Sequence, residues 1–196
     1  MSYRILTGLG LSIVGLLMAT GCKSAASRGP LTIPLQYRAT DVASSVQAPM
    51  TGTVSVIVTD QRDKKDAIGQ NIEDPMPKPV LTRDDPAAFV RGVVVQQLQS
   101  RGAMIVPTGT PVTRQIALQL FNFYTTESNM YRTAVQLRAQ VLGEGGKVLL
   151  AGVLNGANEK WGSSYKAENY QESLSDATSD AVMSLLNDPG FVAALK

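Results

Sequence analysis

The stretch Tyr131-Arg-Thr-Ala-Val-Gln-Leu-Arg-Ala-Gln-Val141 alternates between apolar and polar side chains more regularly than any other part of the chain. A period of two is typical of a β-strand that has one dry face and one wet face. The pattern therefore predicts a sheet whose second face meets water or a partner. Arg138 belongs to the wet face, and we take it as a candidate contact for a ligand or partner.

The segments on either side of this strand predict a three-strand meander. Residues 114–126 are rich in strand formers, and their period of two places Phe121 and Phe123 on the face opposite to Leu118. A glycine-rich turn after the alternating strand leads to a third strand at about 147–158. Because the turns are short, consecutive strands of the meander are expected to pair antiparallel.

Two further strands and two helices complete the predicted fold. The strands are 53–60 and 104–106, and the helices run from Pro86 to about Arg101 and over about 167–187. Asp84-Asp85-Pro86 is typical of a helix start, since an acidic cap and a proline suit the first turn. The order strand, helix, strand, meander, helix predicts an α+β domain in which a single, mostly antiparallel sheet packs both helices on one face.

A charged loop and a proline-spaced segment follow the first strand. The loop covers 61–69, and Asp74-Pro-Met-Pro-Lys-Pro79 comes after it. Alternate prolines keep the backbone extended and unable to join a central ladder. The segment is either an ordinary covering loop or a stiff docking loop for a partner.

The first 22 residues are typical of a lipoprotein signal. Arg4 precedes an apolar stretch from Ile5 to Met18, which is too short to cross a membrane comfortably. Small residues ending at Gly21 lead directly to Cys22, and this resembles the bacterial lipobox, where a signal peptidase leaves the cysteine acylated. An ordinary secretory peptide is the alternative, but Cys22 is the only cysteine in the chain, which favours lipidation.

These features predict a signal peptide at 1–21, a lipidated tether and lead-in at 22–52, and a single α/β domain at 53–196. Acyl chains such as palmitate on Cys22 would hold the domain on a membrane without a spanning helix. Lys23 follows the cysteine, whereas aspartate at that position favours the inner membrane in enterobacterial-type lipoproteins. We therefore expect the outer membrane of a Gram-negative bacterium, with the domain facing the periplasm.

Composition excludes several classes of chemistry. The 196 residues include 18 basic and 16 acidic side chains, a balance that does not suggest a nucleic-acid binder. The chain has no histidine, which excludes histidine triads and histidine metal sites, and its single cysteine excludes an intramolecular disulfide. We expect no cofactor, no metal and no enzymatic activity.

Two pairs of residues are candidate contacts for a ligand or partner. Asp60 and Arg62, at the carboxyl end of a strand, either face a ligand or stabilise a turn. Trp161 and Tyr165, together with Tyr170, either stack on sugar rings or anchor a protein, or else pack between sheet and helix. The residue types alone leave both alternatives open.

Short motifs spread over about 50–190 carry a resemblance to a known family. They are Val58-Thr-Asp60-Gln-Arg62 with Ile68-Gly69, Leu98-Gln-Ser-Arg-Gly102, and Ser179-Asp-Ala-Val182-Met-Ser-Leu-Leu186-Asn-Asp188. With the predicted order of elements, they resemble the YajG-type family of uncharacterised bacterial outer-membrane lipoproteins. The resemblance implies an envelope lipoprotein without a known activity, and it supplies no catalytic residues.

The sequence thus leads to two functional hypotheses. The first is a non-enzymatic outer-membrane lipoprotein whose periplasmic domain binds another envelope component, such as a protein, through the wet sheet face or the loop at 61–79. The second is an accessory lipoprotein of an envelope transport or assembly system, which handles lipid or glycan through residues 160–170. In both, the acylated N-terminus contacts the membrane, and nucleic acid is not a partner.

Overall fold

The computed structural model describes residues 29–38, 52–73 and 75–196. The predicted signal peptide, Cys22 and most of the predicted tether lie outside these residues. Within the described part of the chain, no helix is long and apolar enough to span a membrane.

Eight strands and three α-helices are found in the described residues. In chain order they are β1 (Leu31–Thr32), β2 (Thr53–Asp60), β3 (Gly69–Asn71), β4 (Lys78–Leu81), α1 (Pro86–Ser100), β5 (Met104–Val106), β6 (Arg114–Glu127), β7 (Met130–Leu142), β8 (Val148–Trp161), α2 (Ala167–Leu186) and α3 (Pro189–Ala194). The strands form one sheet, and the helices pack against it around a common hydrophobic core. The predicted α+β fold with helices packed against one sheet is confirmed, and the sheet is mixed, since four of its seven strand pairings among the described residues are parallel.

Strand β6 organises the sheet. One of its edges pairs antiparallel with β7 along almost its whole length, and β7 pairs antiparallel with β8, as the meander predicts. The other edge is shared, because β2 lies parallel to its first half and β3 lies parallel to its last residues. The segment between β2 and β3 therefore leaves the sheet beside the middle of β6.

A β-bulge interrupts β6 between Leu120 and Asn122. The inward face of the strand carries Leu118 before the bulge and Phe123 after it, and both side chains are buried. The expectation that Phe123 shares a face with Phe121 is therefore wrong. The extra residue in a bulge shifts the alternation of side chains, and Phe121 is the residue left on the outer face.

Three short strands, β1, β3 and β4, are not predicted from the sequence. β4 belongs to the proline-spaced segment, for which the sequence predicts a loop outside any central ladder. It pairs with β3 and β1 in the peripheral part of the sheet, where Pro79 lies opposite Gln70. These strands have two to four residues each, so their pairing partners rather than their own side-chain pattern define them.

Residues 29–38 fall within the predicted tether and lead-in, yet they pack on the domain. Ile33 is buried, and the backbone N–H of Arg38 donates to Ser175 Oγ on α2 at 2.9 Å. On the other side, Gln97 Nε2 of α1 donates to the Tyr37 hydroxyl at 3.0 Å. The segment therefore joins the two long helices and belongs to the folded unit.

The helices are positioned by local chemistry that the sequence reveals. Asp85 is the N-cap of α1 and accepts from the backbone N–H of Ala87 at 2.8 Å, as the acidic start predicts. The α2 helix lies close to β8 at Gly156, where an added Cβ would come within 1.9 Å of the Ala177 carbonyl oxygen. This close approach covers the inner face of β8 and leaves its outer face open.

Candidate functional site

The outer face of β6, β7 and β8 is the face without helices in the described part of the chain. Its polar side chains on β7 include Arg132, Gln136 and Arg138, as the alternating pattern predicts. Apolar groups are exposed beside them: Phe121 is 37% exposed, Val153 57% and Trp161 76%. Such a mixture of exposed aromatic and aliphatic side chains with arginine is common at protein interfaces.

Phe121 and Arg138 form the centre of this face. The bulge brings Phe121 outwards, and the guanidinium carbon of Arg138 lies 5.0 Å from the centroid of its ring. Such a cation–π contact is worth about 0.5–1 kcal/mol at an exposed site. Across β7, Arg138 lies opposite Val153 on β8. A flat row of aromatic, cationic and aliphatic surface therefore crosses three strands.

The two arginines of the face differ in their ionic partners. Arg132 Nε lies 3.6 Å from Glu159 Oε1, and both side chains are largely exposed. No carboxylate among the described residues lies within ion-pair distance of Arg138. Arg138 therefore keeps a charge that an incoming acidic group can use without displacing an internal one.

A groove of about 360 Å³ opens beside Phe121. It lies where the segment between β2 and β3 leaves the edge of β6, and its lining mixes aromatic, amide and charged side chains. The lining residues are Arg62, Asp63, Lys64, Gln70, Phe121, Asn122, Phe123 and Tyr124. The groove adds a concave, partly polar pocket to the flat row described above.

Asp60 and Arg62 form the ion pair at the carboxyl end of β2. Arg62 Nη2 lies 2.8 Å from Asp60 Oδ2, and the Arg62 side chain is only 5% exposed. Burial would raise the pKa of Asp60, but the hydrogen bonds and charge of Arg62 outweigh it and hold the pKa below its usual value. The remaining terminal nitrogen of Arg62 donates to the Ala67 carbonyl. The guanidinium is thus engaged internally, and it shapes the wall of the groove.

Trp161 and Tyr165 are close in sequence but have different surroundings in the structure. Trp161 is exposed at the end of β8. Tyr165 adopts a φ of +46° and turns its hydroxyl towards the first described segment, where the oxygen accepts from the N–H of Leu31 at 3.0 Å. Its ring packs edge-on against Tyr170 at 6.4 Å between centroids. Trp161 is available to a ligand, whereas Tyr165 connects parts of the fold.

Glu127 accepts hydrogen bonds from four different residues, although it lies just beyond the strand that the sequence predicts at 114–126. The Tyr170 hydroxyl donates to its Oε2 at 2.6 Å. The Tyr131 hydroxyl donates to its Oε1 at 2.7 Å, as do the backbone N–H groups of Ser164 and Tyr165 at 2.8 and 2.7 Å. These bonds join the end of β6 to β7, to the loop after β8 and to α2.

Burial alone would raise the pKa of Glu127. Hydrogen bonds from Tyr170, Asn71 and further donors outweigh burial and hold the pKa of Glu127 below its usual value. Burial and the neighbouring carboxylate raise the pKa of Tyr170, so the phenol stays protonated and donates. Because all of these donors bond to the Glu127 carboxylate, the role of this group is to connect parts of the fold. The described residues contain no group of three or more carboxylate or thiol side chains placed to hold a metal ion.

A family model described as an uncharacterized lipoprotein, Lipoprotein_16, matches residues 40–196. The chain belongs to this family. The resemblance to uncharacterised lipoproteins that the sequence motifs carry is thereby confirmed, and the family description implies a lipid-anchored protein of the cell envelope. No curated protein matches the lipoprotein.

Several solved structures are similar to the lipoprotein. Protein XCC0632 from Xanthomonas campestris, of the family DUF330, has a TM-score of 0.60 at 11% identity, with 83% of this chain and 96% of that chain covered. A putative lipoprotein from Caulobacter crescentus CB15 has a TM-score of 0.45 at 12% identity, with 65% of this chain and 90% of that chain covered. Lipoprotein GNA1162 from Neisseria meningitidis has a TM-score of 0.43 at 10% identity, with 70% of this chain and 100% of that chain covered. At 11% identity, the likeness to XCC0632 concerns the fold alone.

Proposed function

We propose that this lipoprotein is a non-enzymatic adaptor of the cell envelope. Acylated Cys22 anchors it in the outer membrane, and its α/β domain faces the periplasm and binds another envelope component, most simply a protein. The observation that carries the proposal is the helix-free outer face of β6, β7 and β8, where Arg138 stacks on an exposed Phe121. A surface of this composition gains free energy when a partner removes it from water.

The roles of the acidic residues support a binding protein rather than an enzyme. Asp60 is paired with Arg62, Asp85 caps α1, and Glu127 accepts bonds from four donors that hold the fold together. Each of these three carboxylates is thus engaged in maintaining structure. General acid–base catalysis requires a carboxyl group that can reach a substrate and exchange a proton with it.

The proposed anchor is supported by the sequence around Cys22 and by the lipoprotein description of the family. Each buried methylene contributes about 0.8 kcal/mol, so two or more acyl chains hold a protein firmly on a bilayer. Radiolabelled palmitate should enter the wild-type protein and should not enter Cys22→Ala, and the labelled protein should fractionate with the outer membrane. Equal labelling of both proteins would remove the proposed anchor.

The partner-binding proposal is tested by crosslinking in intact envelopes followed by mass spectrometry. Wild type should give a discrete adduct, and Arg138→Glu should lose most of it, because the charge that receives an acidic partner is reversed. Arg83→Glu is the matched control, since Arg83 is exposed in the loop before α1 and does not belong to β6, β7 or β8. Equal adduct yields from the two variants, at equal thermal stability, would contradict the proposal.

A second candidate function is favoured by the exposure of Trp161. An indole that is 76% exposed can stack on a sugar ring or enter a lipid headgroup region. In that case the protein is an accessory of a transport or assembly system that handles glycan or lipid. Trp161→Ala should then abolish co-sedimentation with sacculi or with lipid vesicles, whereas Trp161→Phe should retain part of it. Unchanged sedimentation of Trp161→Ala would exclude this function.

A further inference from the structure

One end of the sheet carries three large apolar side chains that are exposed: Ile72, Met76 and Trp161. Strand β8 ends there, opposite the start of β7. Strands β6 and β3 end side by side at the same place, and β4 starts beside them. Ile72 and Met76 lie between β3 and β4, and Trp161 is the last residue of β8. The three side chains therefore lie at the same end of the domain, although they come from distant parts of the sequence.

The chain also enters the domain at this end. Strand β1 is parallel to β4, so it enters the sheet from the same end as β4. The Tyr165 hydroxyl, in the loop that follows β8, fixes this entry. It accepts from the N–H of Leu31 at 3.0 Å and lies 3.1 Å from the carbonyl oxygen of Gly29. Any anchor that precedes Gly29 is therefore attached at the end that carries the exposed apolar side chains.

The opposite end of the sheet is the alternative membrane contact, since Met104 and Val148 are exposed there. Distance decides between the two ends. Strand β6 has 14 residues and spans about 45 Å from one end to the other. Seven residues lead from Cys22 to Gly29, and they cannot cover that distance even when fully extended. An acylated Cys22 would therefore bring the end where the chain enters, and not the opposite end, to the bilayer.

We propose that Ile72, Met76 and Trp161 enter the interfacial layer of the bilayer in which acylated Cys22 is anchored. The inference rests on the proposed anchor and adds the orientation of the domain, with this end towards the lipid. Tryptophan is enriched where a membrane meets water, because its ring is apolar and its N–H is polar. Exposed aliphatic side chains gain free energy when they leave water for the lipid boundary. The contact is with the anchoring membrane itself, so it needs neither glycan nor lipid as a cargo.

The charges at this end favour an apolar rather than an electrostatic contact. Glu73 and Asp74 follow β3 in the sequence. Lys78 starts β4, and Lys166 precedes α2. Two acidic and two basic groups leave no excess of positive charge that anionic headgroups would attract. We therefore expect the contact to persist at high salt, where electrostatic binding is screened.

This orientation leaves the outer face of the sheet free for the proposed envelope partner. Phe121 lies six residues before the end of β6, which corresponds to about 20 Å along the strand. With the strands upright on the bilayer, the contact between Phe121 and Arg138 therefore stays clear of the lipid. The two proposals rest on different residues, so each can fail without the other. Loss of the membrane contact leaves the Arg138-dependent adduct in place, and loss of that adduct leaves the membrane contact in place.

Two exposed methionines at opposite ends of the sheet test the orientation. Met76 is 77% exposed and Met104 is 65% exposed. The full chain with Met76→Cys or Met104→Cys is purified from membranes and reconstituted into vesicles of phosphatidylethanolamine and phosphatidylglycerol, and flotation confirms that it is bound. A membrane-impermeant maleimide should label Met104→Cys readily and Met76→Cys several-fold more slowly, because lipid covers the thiol at residue 76. Both variants should be labelled equally after unfolding in detergent and urea.

The outcomes of this labelling separate the orientation from the anchor. Flotation without protection of Met76→Cys would contradict the orientation and leave the anchor in place. Labelling of the unsubstituted chain would show a free thiol at Cys22, the only cysteine of the chain. That result would contradict the anchor and the orientation together.

Trp161 is the only tryptophan of the chain, and its fluorescence reports on the same contact without cysteine. Lipids brominated in the upper part of their acyl chains should quench it in the reconstituted wild type, at low and at high salt. Met76→Asp should lose most of this quenching, because a carboxylate resists transfer into lipid. Met104→Asp is the matched control and should keep it. Equal quenching in the two variants, quenching that disappears at high salt, or a Trp161 signal that responds to sacculi but not to vesicles would each overturn the proposal.

Discussion

Two regions of the same β6–β7 pair use similar side chains for opposite purposes. Around Glu127, a carboxylate and tyrosines are buried, and each carboxylate oxygen accepts a close hydrogen bond from within the chain. Around Phe121, an aromatic ring and a guanidinium meet at the surface, and Arg138 makes no ion pair with the described residues. The difference teaches that residue type is a poor guide to function in this fold. Whether a group is already satisfied within the chain is the better guide.

The largest effect on stability is expected from substituting the two phenylalanines at the bulge in β6. Phe123→Ala should lower the free energy of unfolding by about 4 kcal/mol, because it empties a fully buried site. Phe121→Ala, two residues away, should cost less than about 1 kcal/mol, since its ring is partly exposed and its cation–π contact with Arg138 lies at the surface. Urea unfolding of both variants measures the difference. Equal losses would mean that the two rings are equally buried, which would break the comparison between the regions.

The next effect concerns the carboxylate of Glu127. Glu127→Gln should lower the free energy of unfolding by about 3 kcal/mol, because the uncharged amide cannot accept from all the donors that stay buried. Glu159→Gln is the same chemical change at an exposed ion pair and should cost less than about 1 kcal/mol. Chemical denaturation compares the two. A small cost for Glu127→Gln would show that these donors are not directed at a charged group.

A third, smaller effect compares two glycines on the inner face of β8, one that α2 approaches closely and one that it does not. Gly156→Ala should cost about 2 kcal/mol, because its Cβ meets the backbone of α2 at Ala177 and Ala181. Gly152→Ala, on the same strand, meets nothing within 4 Å and should change stability by less than about 0.5 kcal/mol. Thermal unfolding of the two variants provides the measurement. Equal melting temperatures would contradict the close approach of α2.

The smallest expected effect is the change with pH of the stability difference between wild type and Glu127→Gln. The pKa of Glu127 is lowered in the folded state, so its ionised form stabilises the protein at pH values above the unfolded-state pKa of about 4.5. That stability is lost as the pH falls through the lower, folded-state pKa. The difference in unfolding free energy between wild type and Glu127→Gln should therefore shrink on acidification below about pH 4.5. A difference that stays constant into strong acid would exclude the lowered pKa.

Much of the fold can be predicted because its main elements carry their own local signals. The alternation at 131–141 identifies β7 and its wet face, and Asp85 with Pro86 marks the start of α1. The predicted helix over 167–187 corresponds to Ala167–Leu186. In each case, a periodic pattern or a cap acts over a few residues, so a single sequence contains the necessary information.

The features that escape prediction depend on contacts between distant residues. The bulge at Phe121 is visible only in the register of β6 against β7. A strand without the bulge would place Phe123, which is buried, on the outer face. Three of the four donors to Glu127 lie 37 to 43 positions away in the sequence, so its neighbours along the chain do not reveal its role. If the alternation of β6 continued to residue 127 without the bulge, the Glu127 side chain would lie on the outer face. The hydrogen bonds of Glu127 are therefore apparent only in the folded structure.

The packing of residues 29–38 on the domain sets how far the anchored protein can reach. Gly29 is seven residues after Cys22, and a fully extended chain spans at most about 3.6 Å per residue. Under the proposed acylation of Cys22, the chain between the bilayer surface and the point where it joins the sheet would therefore span no more than about 25 Å. The proposal thus places the attachment point of the domain within that distance of the membrane, and a partner bound at the outer face would have to lie close to the same bilayer.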